Sequence, residues 1–148
     1  MLNGKSMELK VPPGRRVLDL LREDLRLTGA KEGCGTGQCG ACAILVDDIP
    51  RSSCLMLAAQ LEGRSVTTIE GLAGETRLHH VQEAFVKEGA VQCGFCTPGM
   101  ILVSAALLRR NPRPSRQEIR EALTGNLCRC TGYQKIIDAV EAAAGRSR

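Results

Sequence analysis

The chain has 148 residues, 43% of them hydrophobic but only 2% aromatic, with no Trp, so it makes one domain or two small ones that need staples beyond a core. A net charge of +4 with so few base-stacking aromatics argues against nucleic-acid binding. No apolar run is long enough for a membrane and MLNGKSMELK lacks a signal-peptide layout, so the cytoplasm is expected, where eight cysteines stay reduced and clustered ones more often bind metal.

Residues 1–73 read as a small unit of mixed α and β structure. Asn3-Gly4 signals a hairpin turn, and SMELKV, with Met7, Leu9 and Val11 alternating, predicts a half-buried strand. Only Met1 and Leu2 precede that turn, so the first strand is very short. PPGR breaks the chain, and RVLDLLREDL carries a helical stripe of Val17, Leu18, Leu20, Leu21 and Leu25. AILV predicts a buried strand ending at the Asp47-Asp48 turn, CLMLAAQL one or two helical turns, and SVTTIE a last strand. Strands and one helix around an irregular loop suggest a ferredoxin-type β-grasp.

Residues 74–148 read as helical, giving an α+β chain overall. TRLHHVQEAFVKEG puts Leu78, Val81, Phe85 and Val86 on one face. TPGMILVSAALLRRN, with Thr97 as N-cap and Pro98 at the first helical position, is apolar nearly all round and predicts the most buried helix. SRQEIREALTG opens with Ser115 and Glu118 in capping-box spacing, and GYQKIIDAVEAAAG stops at Gly145. Short connections favour an up-down four-helix bundle. Arg109, Arg110, Arg113 and Arg116 read as a solvated linker and helix start.

Cys34, Cys39, Cys42 and Cys54 follow C-x4-C-x2-C-x11-C, the plant-type pattern for a [2Fe–2S] cluster; zinc knuckles favour paired C-x2-C units instead. Gly33, Gly35, Gly37 and Gly40 suit a loop that needs positive φ and close backbone approach, with amides aimed at sulfur. Cys93, Cys96, Cys128 and Cys130, spaced C-x2-C-x31-C-x1-C, leave iron–sulfur and zinc both open. In an up-down bundle the two connections that carry them lie at the same end, and each pair precedes a helix N-terminus that favours an anionic centre. His79 and His80 invite a Rieske reading, but the cysteines already fill two sites and these His fit a partly exposed helix face. Phe85, Phe95 and Tyr133 are too few for a flavin pocket and fit the core or a cluster surround. There is no G-x-G-x-x-G after a strand, no phosphate loop and no nucleophile–base pair, so the chain holds electrons rather than substrate.

The motifs EGCGTGQCGAC, VQCGFCTPGMI and GNLCRCTGY, in this order, resemble the iron–sulfur small subunit of molybdenum hydroxylases, the xanthine dehydrogenase and carbon monoxide dehydrogenase family. The resemblance covers nearly the whole chain. It implies a β-grasp [2Fe–2S] domain followed by a four-helix-bundle [2Fe–2S] domain. It implies that Cys93, Cys96, Cys128 and Cys130 hold the cluster nearer molybdenum, and Cys34, Cys39, Cys42 and Cys54 the one nearer FAD. Gln92 and Cys130 match residues that contact the molybdopterin. It further implies a large molybdopterin-binding subunit, an FAD-binding medium subunit, and a dimer of heterotrimers. A free ferredoxin-like carrier and a structural zinc module are the rival readings.

Overall fold

The computed structural model describes residues 1–74 and 76–145; residues 146–148, the end of the expected second half, lie outside them. Its centre is a strand that serves two cores. β1 (Ala43–Val46) is buried along its whole length, and its side chains alternate between faces. Ala43 and Leu45 pack into a helical core with Met100, Phe85 and Ile136, while Ile44 and Val46 pack with Val17, Leu18, Leu21 and Val66.

β2 (Ile49–Ser52) runs antiparallel to β1, Val46 opposite Ile49, through Asp47 and Asp48 with φ of 50° and 63°. Two consecutive positive φ values make the hairpin turn that matches strand twist, so the Asp47-Asp48 turn leads into a second strand that the sequence reading did not assign. Pro50 is tolerated there because β2 is an edge in the order β2-β1-β3. The expected last strand shortens to β3 (Val66–Thr67), and a single 3₁₀ turn, Ile69–Gly71, follows it.

The expected strand over SMELKV is not formed. Leu2 bridges Lys5 across the Asn3-Gly4 turn and Val66 on its other side, but residues 6–12 make no ladder among the described residues, and Met7 and Leu9 are exposed. An extended segment becomes a strand by pairing, and beyond Lys5 no neighbouring segment bridges this one among the described residues. The RVLDLLREDL helix is also shorter than its stripe: α1 (Val17–Asp19) widens into a π-type turn, Leu20–Asp24, with Leu25 only half buried. CLMLAAQL forms two 3₁₀ turns, Ser53–Leu55 and Ala58–Leu61.

The second half holds α2 (His80–Lys87), α3 (Thr97–Arg110), α4 (Arg116–Leu123) and α5 (Gln134–Ala143). Helix α2 packs on α3 and α5, and α4 packs on the same two, so each has two helical neighbours. In α2 the buried face is Val81, Ala84 and Phe85; Leu78 precedes the helix and Val86 is 69% exposed. Five residues from Val81, Val86 points well off the core face at 100° per residue. Helix α3 starts one residue earlier than expected, with Cys96 as N-cap and no side-chain cap, because Cys96 already has helical φ and ψ. It is the buried helix expected, with β1 on one side. Ser115 and Glu118 form the capping box. Arg116 is no solvated residue: it reaches Asp138 at 2.9 Å and Glu141, tying α4 to α5, while Arg109 pairs with Asp48. No helix among the described residues is long and apolar enough to cross a membrane.

Candidate metal centres

Cysteine sulfurs gather at two places. In the first, the amides of Thr36 and Cys39 donate to Cys34 Sγ at 3.3 and 3.4 Å. These contacts, led by the Thr36 side chain, lower the Cys34 thiol to about 6, because donors aimed at sulfur favour the thiolate. Cys54 lies against Cys42, and burial first, then that neighbour, pushes it up to about 11. Gly35, Gly37 and Gly40 take the expected positive φ; Gly33 does not, and a Cβ there would sit 2.8 Å from Cys39 Sγ.

In the second place Cys130 Sγ stands 3.6 Å from Cys93 Sγ, and Cys96 lies against Cys128. Burial, then Cys128, pushes Cys96 up to about 12. Burial also acts on Cys128, but hydrogen bonds from the Thr131 side chain and amide outweigh it and the thiol is lowered. The Cys128 amide donates to Tyr133 Oη at 2.8 Å, so Tyr133 does stand beside the cysteine loop. Gln92 is exposed, next to the exposed Cys93 and Cys130.

Among the described residues no three His, Cys, Asp or Glu side chains gather about one ion position. Within each group the thiols lie close: the Cys39 amide donates to Cys34 Sγ, Cys42 lies against Cys54, Cys93 Sγ stands near Cys130 Sγ, and Cys96 lies against Cys128. That donor set suits two-iron centres, in which each iron takes two protein thiolates. All eight thiols are free. His79 lies outside both groups as the N-cap of α2, its Nδ1 accepting from the Val81 amide at 3.3 Å; burial, then His80, lowers its pKa and keeps that nitrogen an acceptor.

The two cysteine loops touch each other, which the sequence reading missed. The Leu127 amide donates to the Cys39 carbonyl at 2.9 Å, and buried Asn126 Nδ2 donates to the Gly40 carbonyl at 3.1 Å. Gly40 has φ of 68°, and a Cβ on it would lie 2.3 Å from the Gly125 carbonyl oxygen. Phe95, between Cys93 and Cys96, leans toward Gly33 of the other loop. Gly125 reads in the sequence only as the stop of α4, and Asn126 and Leu127 carry no signal of this contact.

Two family models account for the chain: "2Fe-2S iron-sulfur cluster binding domain" over residues 1–73 and "[2Fe-2S] binding domain" over residues 68–141. The chain is 50% identical to the nicotinate dehydrogenase small FeS subunit of Eubacterium barkeri, covering 98% of this chain and 92% of that protein. It is 50% identical to the xanthine dehydrogenase iron-sulfur-binding subunit of Escherichia coli O157:H7, covering 94% and 88%. Quinoline 2-oxidoreductase from Pseudomonas putida 86 superposes with a TM-score of 0.93 at 49% identity, over 97% of this chain and 90% of that one. Aldehyde oxidoreductase from Desulfovibrio gigas superposes with a TM-score of 0.93 at 41% identity, over 97% of this chain and 16% of that one. With two iron–sulfur families end to end and near-complete coverage of small subunits at half identity, the chain belongs to the iron–sulfur small subunits of the molybdenum hydroxylase (xanthine dehydrogenase) family of oxidoreductases.

Proposed function

We propose that this chain relays single electrons between a molybdenum centre on a large partner subunit and FAD on a medium one. Residues 1–73 form the β-grasp domain, with Cys34, Cys39, Cys42 and Cys54 as ligands of one [2Fe–2S] cluster. Residues 74–148 form the four-helix-bundle domain, with Cys93, Cys96, Cys128 and Cys130 holding the other. Bound there, each cluster supplies a site that accepts and releases one electron.

The observation that carries the reading is the Leu127 amide to Cys39 carbonyl hydrogen bond. Leu127 is covalently next to Cys128, so one hydrogen bond and a few covalent bonds separate a ligand of one cluster from a ligand of the other. A structural zinc module has no use for such a join between two cysteine loops. A free carrier explains residues 1–73 and leaves the second set of thiols idle.

The rest of each loop prepares the thiols. The Thr36 side chain, with the Thr36 and Cys39 amides, holds Cys34, and the Thr131 side chain helps hold Cys128, in forms ready to ionise. Exposed Cys93, Cys130 and Gln92 form the face for the large subunit, with Gln92 and Cys130 contacting its molybdopterin. The substrate pocket belongs to that partner, the assembly is a dimer of heterotrimers, and its place is the cytoplasm.

Electron paramagnetic resonance of the dithionite-reduced chain, with spins counted, tests the proposal. Two distinct signals near one spin each per chain are expected, and Cys96→Ser is expected to abolish only one. A colourless protein carrying zinc and no iron, or a single signal, overturns it.

A further inference from the structure

At Cys128 the hydrogen bonds are arranged in series. Tyr133 N–H donates to Thr131 Oγ1 at 3.2 Å, and Thr131 Oγ1 donates to Cys128 Sγ at 3.0 Å. A hydroxyl has one proton, and an acceptor contact on its oxygen from the Tyr133 amide leaves that proton to point at sulfur. Bonds in series polarise one another, so the sulfur receives a stronger donor than an isolated hydroxyl provides. The Thr131 amide adds a second donor at 3.4 Å.

The chain accepts backbone strain to build this. Tyr133 has φ of 67°, left-handed for a bulky residue, directly after Gly132 at 62°. That turn aims the Tyr133 amide back at Thr131 and brings its own Oη to the Cys128 amide at 2.8 Å. Strain held at one turn, with the Tyr133 amide on Thr131 and its hydroxyl on the Cys128 amide, marks a positioned group rather than a loose loop.

We infer that Thr131 is a positioning residue that raises the electron affinity of the bundle centre by donating its hydroxyl to Cys128 Sγ, with Tyr133 fixing the direction of that donation. This rests on the two-cluster reading above. When the centre takes up one electron, from dithionite in the test, negative charge grows on its ligand sulfurs, and a donor already aimed at one of them binds the reduced form more tightly. Loss of such a donor is expected to weaken reduction about tenfold, about 59 mV for a one-electron couple.

The test is a potentiometric titration of the full chain with both clusters in place, followed by electron paramagnetic resonance. It compares the unaltered protein, Thr131→Val and Thr131→Ser, with Cys96→Ser identifying the bundle signal by its loss. Thr131→Val keeps the shape and removes the hydroxyl, so the bundle signal alone is expected to move about 59 mV toward lower potential, a tenfold weaker reduction. Thr131→Ser is expected to hold the original value. A Thr131→Val protein with both signals at full intensity and unmoved potentials overturns the inference and leaves the relay standing. An equal shift of both signals also overturns it. Fewer than two signals in the unaltered chain overturns the relay reading, and this inference with it.

Discussion

Gly40→Ala puts the contact between the cysteine loops under direct strain, and Gly63→Ala is its natural control. Both glycines have left-handed backbone, φ of 68° and 70°. An alanine at either position bears the left-handed penalty of about 1–2 kcal/mol. At Gly63 nothing lies within 4 Å of the new Cβ, so the penalty ends there. At Gly40 the new Cβ would meet the Gly125 carbonyl oxygen at 2.3 Å and Asn126 Nδ2 at 2.6 Å. One of these is backbone and the other is the buried amide that holds the Gly40 carbonyl, so neither can swing aside. Overpacking of that kind adds about 1–3 kcal/mol. At about 3 °C per kcal/mol for a chain of this size, Gly63→Ala is expected to lower the melting temperature by roughly 3–6 °C and Gly40→Ala by roughly 6–15 °C. Melts of both variants followed by circular dichroism under identical loading decide it. Equal losses would falsify the steric argument, because the two substitutions differ only in what surrounds the added methyl.

Other substitutions probe single links in the chain. Phe85→Ala removes the largest of the fully buried side chains and should cost about 3–5 kcal/mol, seen as a large drop in melting temperature; a loss under about 1 kcal/mol would mean the helical core is not where it is drawn. Ser115→Ala breaks the cap of α4 and should cost about 1 kcal/mol, while Ser115→Asp, which restores an acceptor, should recover most of it. In iron-free, reduced protein, alkylation by iodoacetamide should reach Cys34 well before Cys96. The thiolate is the nucleophile, so the Cys34 rate should climb through about pH 6 and level off above it, while Cys96, pushed to about 12, stays protonated and slow through pH 8. Mass spectrometry of the alkylated peptides measures both, and equal rates at pH 7 count against the hydrogen bonds drawn at Cys34.

What could be read from sequence was local, and what could not depended on a partner segment. Ser115 and Glu118 find each other three residues apart, so spacing alone revealed the cap. The cysteine loops were legible because metal-ligand spacing is a short-range code, and α3 because its apolar residues run all the way round. SMELKV failed for the opposite reason: Met7, Leu9 and Val11 have the right alternation, but a strand exists only where another chain segment supplies hydrogen bonds. Val86 failed because an apolar residue within a helical window counts toward the stripe until its angle is worked out. β2 was missed because IPRS carries no apolar alternation; its placement comes from the paired positive φ values at Asp47 and Asp48. At the sites, residue types announced the thiols, whereas the Leu127–Cys39 bond is a backbone contact between loops 88 positions apart and leaves almost no trace in composition.

That backbone contact also bears on how the protein matures. The Cys39 carbonyl and the Leu127 amide each sit next to or on a residue of a different cysteine loop, so ordering one loop presents a formed partner to the other. Filling either centre therefore lowers the entropy still to be lost in filling its neighbour.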